Sequence, residues 1–267
     1  MRKLLKGDWK FDGVVVSDWN SIGEMVNHRT AKDLNSAAEL ALIAGCDIDM
    51  EATAYINHLE SLIKKNPKLI EQIDDAVKRV LKLKFELGLF EDPYKYCNEE
   101  REKETVGAKE HFELAEKAAL NSIVLLKNND HLLPLNENKK IAVIGPLGND
   151  SDSPLGNWRG KGEQGSAISL LDGMKKVFSS TSIQFAKGCE LSIGNNNFFE
   201  ELKINQTDRS GFDEAIKLAK SSDIVIMALG EPAYMTGEGR SRADIGLPGL
   251  QLELLQEIYS VNKNIVL

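Results

Sequence analysis

The chain has 267 residues, 42% hydrophobic and 28% charged with the signs mixed, which is the composition of a globular protein and not of a disordered one. A formal net charge of −8 argues against nucleic acid or an anionic membrane surface as partner, because both need clustered Lys and Arg. No apolar run approaches the roughly 20 residues of a membrane span, and the three cysteines, Cys46, Cys97 and Cys189, lie far apart with no C-x-x-C pair for zinc or redox chemistry.

Such a length allows one large domain or two medium ones. Residues 11–18 read as the first strand. The run Val14-Val15-Val16 is β-branched and does not alternate, as in parallel strands buried on both faces. Residues 31–44 read as a helix, and "GCDIDM" as a second short strand ending near Met50 and Glu51. Strand, loop, helix, strand is one repeat of a parallel α/β sheet or barrel. Two helices follow, "INHLESLIKK" and "IEQIDDAVKRVLKLKFELGLF". The second has apolar spacing at Ile70, Ile73, Val77, Val80 and Leu81, with Gly88 placed as a C-cap. The polar stretch "EDPYKYCNEEREKETVGAKE" then reads as a linker.

A second α/β run begins with a helix over "HFELAEKAALNSIVLLKN" that leads into a strand at 123–126. Further strands are expected at 140–145, in "SIQFAKG", in "IVIMALG" and in "NIVL". Helices are expected at 166–178, in "FDEAIKLAKSSD" and in "GLQLELLQEIYSVN". Strands alternating with helices of ten or more residues again point to parallel α/β. The basic start and the apolar last residues both read as interior sequence of a longer chain.

In parallel sheets, reactive groups gather where strands end on their C-terminal side. The first strand ends on Ser17-Asp18-Trp19 and the second on Asp49, Met50 and Glu51. "KIAVIG" runs into "PLGNDSDSPLGNWRGKG", and "IVIMALG" into "EPAYMTGEGRSRADIGLPG". A carboxylate at a strand end and a second on a mobile loop form a pair suited to glycosidic chemistry, one as nucleophile and one as proton donor and acceptor. An aromatic ring beside the nucleophile suits the C–H face of a sugar. Simpler roles stand beside these. Asp18 is also a reasonable N-cap for the next helix, Trp19 a packing residue, and Glu238 a solvated carboxylate or a partner for Arg240 or Arg242. His28, His58, His111 and His131 lie apart without metal-ligand spacing. "GPLGND" lacks the G-x-G-x-x-G spacing, and Pro146 removes a backbone donor where a phosphate would need one.

With these motifs in this order, the sequence resembles glycoside hydrolase family 3, and most closely its bacterial β-glucosidase and β-xylosidase branch. "LLKGDWKFDGVVVSDWNS" is similar to the family's nucleophile segment and "AGCDIDME" to the strand after it. "IDDAVKRVLKLKFELGLFEDPY" resembles the end of a first domain. "ALNSIVLLKNNDHLLPL" and "KIAVIGPLGND" resemble the entry to a second. "GEPAYMTGEGRSRADIGLPGLQLELL" resembles the loop carrying the acid/base.

The resemblance implies an α/β fold: the C-terminal part of a TIM-like (β/α)8 barrel over 1–92, a linker over 93–110 and an incomplete α/β sandwich over 111–267, with the active site between the two domains. It implies Asp18 as catalytic nucleophile, Glu238 as general acid/base with Glu231 as its rival, and Trp19 and Met50 against the sugar. It implies a retaining, exo-acting β-glycosidase, most simply a β-glucosidase, on an oligosaccharide or β-glucoside, with no metal or cofactor. A β-xylosidase of the same family and a non-catalytic carbohydrate-binding module are the alternatives. The N-acetylhexosaminidase branch fits less well, because the "TGEGRSR" loop is present. Bacterial members are often periplasmic or secreted. The family's upstream Lys-His pair and Arg have no counterpart here, so the chain is expected to be inactive and poorly soluble in isolation.

Overall fold

A computed structural model describes residues 1–129, 131–179, 182–194, 196 and 200–267. The chain forms two compact units, 1–122 and 123–267, and each is described by itself.

The first unit opens with a wide helical turn of π type over Arg2–Asp8. The strand expected over 11–18 shrinks to one parallel bridge, Val16 to Ile48, and the second expected strand is the other half of that bridge. The pairing is sound where it exists. The Val15 carbonyl accepts from the N–H groups of Asp47 (2.8 Å) and Ile48 (3.1 Å), and the Ser17 N–H donates to the Ile48 carbonyl at 2.9 Å. A parallel run becomes a central strand only with a neighbour on each edge. Here one edge is paired, and Val16 is exposed rather than buried on both faces.

Helices α1 (Ser21–Asn27), α2 (Leu34–Ala44), α3 (Ala54–Lys65) and α4 (Ile70–Glu86) follow. The start of α2 is set by a reciprocal cap. The Asp33 carboxylate accepts the Ser36 N–H at 2.8 Å, and the Asp33 N–H donates to the Ser36 hydroxyl at 3.1 Å. Ala37, Ala38, Ala41 and Leu42 of α2 pack with Ile22, Leu62 and Leu69 into the unit's core. Small alanines let α2 lie close against α1 and α3. Along α4 the expected apolar stripe is only half used: Ala76 is buried, whereas Val77, Leu81 and Phe85 are exposed. As expected, Gly88 ends the helix in a left-handed conformation, φ 71°. The stretch read as a linker contains a further helix, α5 (Glu99–Thr105), and α6 (Lys109–Ser122) buries none of its residues.

The second unit is a parallel sheet. Strands β1 (Ile141–Ile144), β2 (Ile183–Ala186), β3 (Ile224–Met227) and β4 (Ile265–Val266) lie in the order β2-β1-β3-β4. Ile141 pairs with both Ile183 and Ile224, and Val225 pairs with Ile265. The strands β1 and β3 are buried at every position, as unalternating Ile/Val runs predict for a sheet covered on both faces. On one face Ala142, Ile144, Val225 and Met227 meet Phe212 and Ala215 of α8 (Phe212–Lys220) and Leu254 and Ile258 of α9 (Gln251–Val261). On the other face Ile141, Val143 and Ile226 meet Leu171 and Met174 of α7 (Leu170–Val177). The strand expected at 123–126 does not form. Those four apolar residues pair with no strand and are exposed, Leu126 at 91%. β-branched composition favours extension, but a strand exists only where a partner ladder takes its N–H and C=O groups.

Candidate functional site

In the first unit the site is built where the 15–17 segment leaves its partner. Ser17 is the joint. Its hydroxyl accepts the Met50 N–H at 2.8 Å and donates to the Asp18 carbonyl at 3.0 Å. One step on, the Asn20 N–H donates to the Met50 carbonyl at 2.9 Å, and Asn20 takes a left-handed φ of 51° to enter α1. Asp18, Trp19 and Met50 are thus gathered on one turn, and all three are exposed. The Asp18 carboxylate accepts the Trp19 N–H through Oδ1 at 2.7 Å. It caps no helix: α1 is preceded by Asn20, which makes no side-chain cap bond. The alternative of Asp18 as N-cap is therefore overturned, and its carboxylate stays available to solvent.

Below this turn lies a charged cluster that the sequence did not reveal. The Asp47 side chain is 1% exposed and the Lys6 side chain 7%. Lys6 Nζ sits 2.7 Å from both oxygens of Asp47, and Arg79 Nη1 of α4 lies 3.2 Å from Oδ1. Asp47 Oδ2 also accepts the Val15 N–H at 2.9 Å. Arg79 reaches on to Asp75 at 2.6 Å, and Arg2 joins Asp75 at 3.2 Å. Asp47 therefore ties the Arg2–Asp8 turn, the segment ending in Asp18 and α4 to one another. The only sequence signal was a carboxylate inside an apolar run, "GCDID", with an arginine between Val77 and Val80. Nearby, the Tyr55 hydroxyl donates to the Cys46 carbonyl at 2.9 Å. Burial pushes that phenol's pKa up and keeps it a donor.

Glu238 belongs to the second unit, in the loop 231–248 between β3 and α9. The loop begins with a short 3₁₀ turn, Ala233–Met235, anchored from two sides. The Ala233 N–H donates to the Ser153 hydroxyl at 3.1 Å, and the Tyr234 and Ser192 hydroxyls are 3.0 Å apart. Ser153 donates onward to Asp150 at 2.5 Å. Burial alone would raise the Asp150 carboxyl, but the Ser153 hydroxyl and the N–H groups of Ser153 and Asp152 outweigh it and hold its pKa down. Glu238 itself is exposed between Gly237 (φ 92°) and Gly239 (φ 70°), backbone conformations that only glycine adopts without strain. Among the described residues no hydrogen bond or ion pair holds its carboxylate. Glu231 is engaged instead, in an ion pair with Arg242, whose Nη2 also donates to the Gly246 carbonyl at 2.9 Å.

A cavity of about 590 Å³ opens at the carboxyl ends of β1 and β2, bordered by Asp150, Phe185, Lys187, Glu190, Ser192 and Tyr234; Glu238 does not line it. The glycine after β1 serves packing. A Cβ on Gly145 would lie 2.3 Å from the Ala228 carbonyl oxygen, which accounts for that glycine without a phosphate. Among the described residues no group of three or more His, Cys, Asp or Glu could hold a metal ion, and no helix is long and apolar enough to cross a membrane.

The family model for the glycosyl hydrolase family 3 N terminal domain matches residues 1–83, and the one for the family's C-terminal domain matches residues 123–267. The chain is 33% identical over its whole length to a protein named periplasmic beta-glucosidase from Salmonella typhimurium, of which it spans 36%. It is 36% identical to a beta-xylosidase from Formosa agariphila, of which it spans 37%. Among solved structures, the beta-glucosidase from Listeria innocua in complex with glucose matches with a TM-score of 0.84 and 34% identity, over 99% of this chain and 34% of that one. The chain thus spans about a third of the length of the relatives it matches. It belongs to glycosyl hydrolase family 3.

Proposed function

We propose that this chain carries the two catalytic carboxylates of a retaining β-glycosidase. The observation that carries the reading is Asp18, an exposed carboxylate set at the C-terminal end of the 15–17 pairing, oriented by the Trp19 N–H and braced through Ser17 by Met50. Asp18 attacks the anomeric carbon and forms a glycosyl ester. Glu238 protonates the leaving oxygen, then removes a proton from the water that releases the sugar. This chemistry needs the two carboxyl groups roughly 5–5.5 Å apart in the working enzyme. Trp19 offers its ring to the sugar's C–H face, and Met50 lies beside it.

The relatives' names support glucosides first. The beta-xylosidase from Formosa agariphila, at 36% identity, supports xylosides as the second reading. We assign residues 1–92 to the C-terminal part of a TIM-like barrel, 93–110 to a linker and 111–267 to an α/β sandwich. A chain that spans a third of its relatives' length is inactive when isolated, so activity belongs to the full natural polypeptide containing this sequence. The test is the stereochemistry of that polypeptide's reaction with an aryl β-glucoside, followed by proton NMR. The β-anomer of glucose appears first if the reading holds; the α-anomer first rules out a nucleophilic Asp18.

A further inference from the structure

Gln251 is the first residue of α9, and its side chain is fully buried. Its amide is wholly spent on the two stems of the loop that carries Glu238. Nε2 donates to the carbonyls of Gly230 (2.9 Å) and Pro248 (3.0 Å), and Oε1 accepts the Gly230 N–H at 2.9 Å. Gly230 is the residue before the loop and Pro248 closes it. Towards Gly230 the side chain behaves as a strand neighbour would, giving and taking one bond with a single residue. Among the described residues no other side chain bonds to both Gly230 and Pro248; Arg242, inside the loop, joins Glu231 to the Gly246 carbonyl.

We propose that Gln251 is a positioning residue for Glu238, clasping the stems of the 231–248 loop so that the Gly237-Glu238-Gly239 tip moves on a fixed base. This rests on the reading of Glu238 as the acid/base. The tip needs such a base, because two left-handed glycines give it freedom and, among the described residues, no partner of its own holds the Glu238 carboxylate. The contacts at Ser153 and Ser192 brace the loop along its length, and Arg242 joins Glu231 to Gly246 within it; Gln251 joins Gly230 to Pro248 at its foot. Replacing its amide by an apolar group of similar volume takes the side-chain partner from the half-buried Gly230 N–H and carbonyl and from the buried Pro248 carbonyl, and the stems part to admit water.

The test compares wild type with Gln251→Met in the full natural polypeptide, by amide hydrogen exchange and by turnover of β-glucosides with good and poor leaving groups. Expected are faster exchange across 231–248, by about tenfold or more, with β1 and β3 unchanged. Turnover should fall about tenfold or more for an alkyl glucoside, which needs a proton, and stay within about threefold for a dinitrophenyl glucoside, which does not. Unchanged loop exchange overturns the proposal, and so does an equal loss on both substrates. Should Gln251→Met not fold, Gln251→Glu replaces it. That variant protects the loop only in acid, where the protonated carboxyl still donates, and a protection factor, corrected for the intrinsic exchange rate, that does not change with pH overturns the proposal. Glu238→Ala separates the two claims: if it shows no leaving-group dependence, the acid/base reading falls, and the exchange result alone decides whether Gln251 holds the loop.

Discussion

Arg242 ion-pairs with Glu231, the carboxylate eleven residues before it at the exit of β3. The pair separates two glutamates that the sequence alone left competing. Glu231 is tethered, whereas among the described residues no partner holds the Glu238 carboxylate between its glycines. A general acid must be free to meet the leaving oxygen, and a carboxylate bound to a guanidinium is not. Glu238→Ala in the full natural polypeptide should therefore cut turnover of an alkyl β-glucoside by about a hundredfold or more, and Glu231→Ala by less than about tenfold. The reverse order would give the proton-transfer role to Glu231.

The Asp47 cluster should dominate the stability of the first unit. Its carboxylate is buried against Lys6 and Arg79, so removing it strands the Lys6 ammonium and the Val15 N–H and leaves Arg79 with Asp75 alone. Breaking a buried pair from one side costs about 3–5 kcal/mol. Asp47→Ala should lower unfolding stability by that much in urea titration, and the exposed Lys64–Glu60 pair, broken by Glu60→Ala, by less than about 1 kcal/mol. Equal effects would mean that the cluster is not the brace described.

Acid should loosen both units through carboxylates held ionised by their partners. The Arg79 guanidinium, and Arg2 after it, hold the Asp75 pKa down. The Ser36 N–H and hydroxyl do so for Asp33, and Ser153 does so for Asp150 against its burial. A carboxyl with a lower pKa folded than unfolded adds stability that is present above its unfolded value and lost as pH falls through the folded one. Urea midpoints should hold steady from these groups above about pH 5 and drop below about pH 4, with a shallower drop in Asp75→Asn. A midpoint that rises between pH 5 and pH 3 would contradict this.

The three thiols should react in a set order. Cys97 is exposed, whereas Cys46 and Cys189 are buried. Burial pushes the Cys46 thiol up and the Cys189 thiol to about 11. The thiolate is the reactive form. At pH 8, iodoacetamide should label Cys97 in the folded protein and reach the other two only in denaturant, as read by peptide mass mapping.

What the sequence disclosed follows the range of the interactions. Helix α2 was legible because its cap and its alanines are local, and β1 and β3 because unalternating Ile/Val runs imply cover on both faces. The segments 11–18 and 123–126 carry the same composition and did not become strands, since a ladder depends on a neighbour that no local pattern reports. Asp18, Trp19 and Met50 could be named from strand ends, and their gathering on one turn came from the Ser17 hydroxyl. The residues behind the site stayed hidden. Asp47 finds Lys6 and Arg79 across 41 and 32 residues, and Gln251 finds Gly230 across 21. A polar residue opening a helix reads as surface until its partners are known.

The central claim is that Asp18 forms the bond to the sugar. A 2-deoxy-2-fluoro-β-glucosyl donor with a good leaving group tests it most directly, because fluorine at C2 destabilises the oxocarbenium-like transition states and lets the covalent intermediate accumulate. The full natural polypeptide is treated with this reagent, digested with trypsin and sequenced by tandem mass spectrometry. The account predicts one fluoroglucosyl group in peptide 11–29, esterified to Asp18 and absent from Asp18→Ala. A group on any other carboxylate, or undiminished turnover of an aryl β-glucoside by Asp18→Ala, would contradict it.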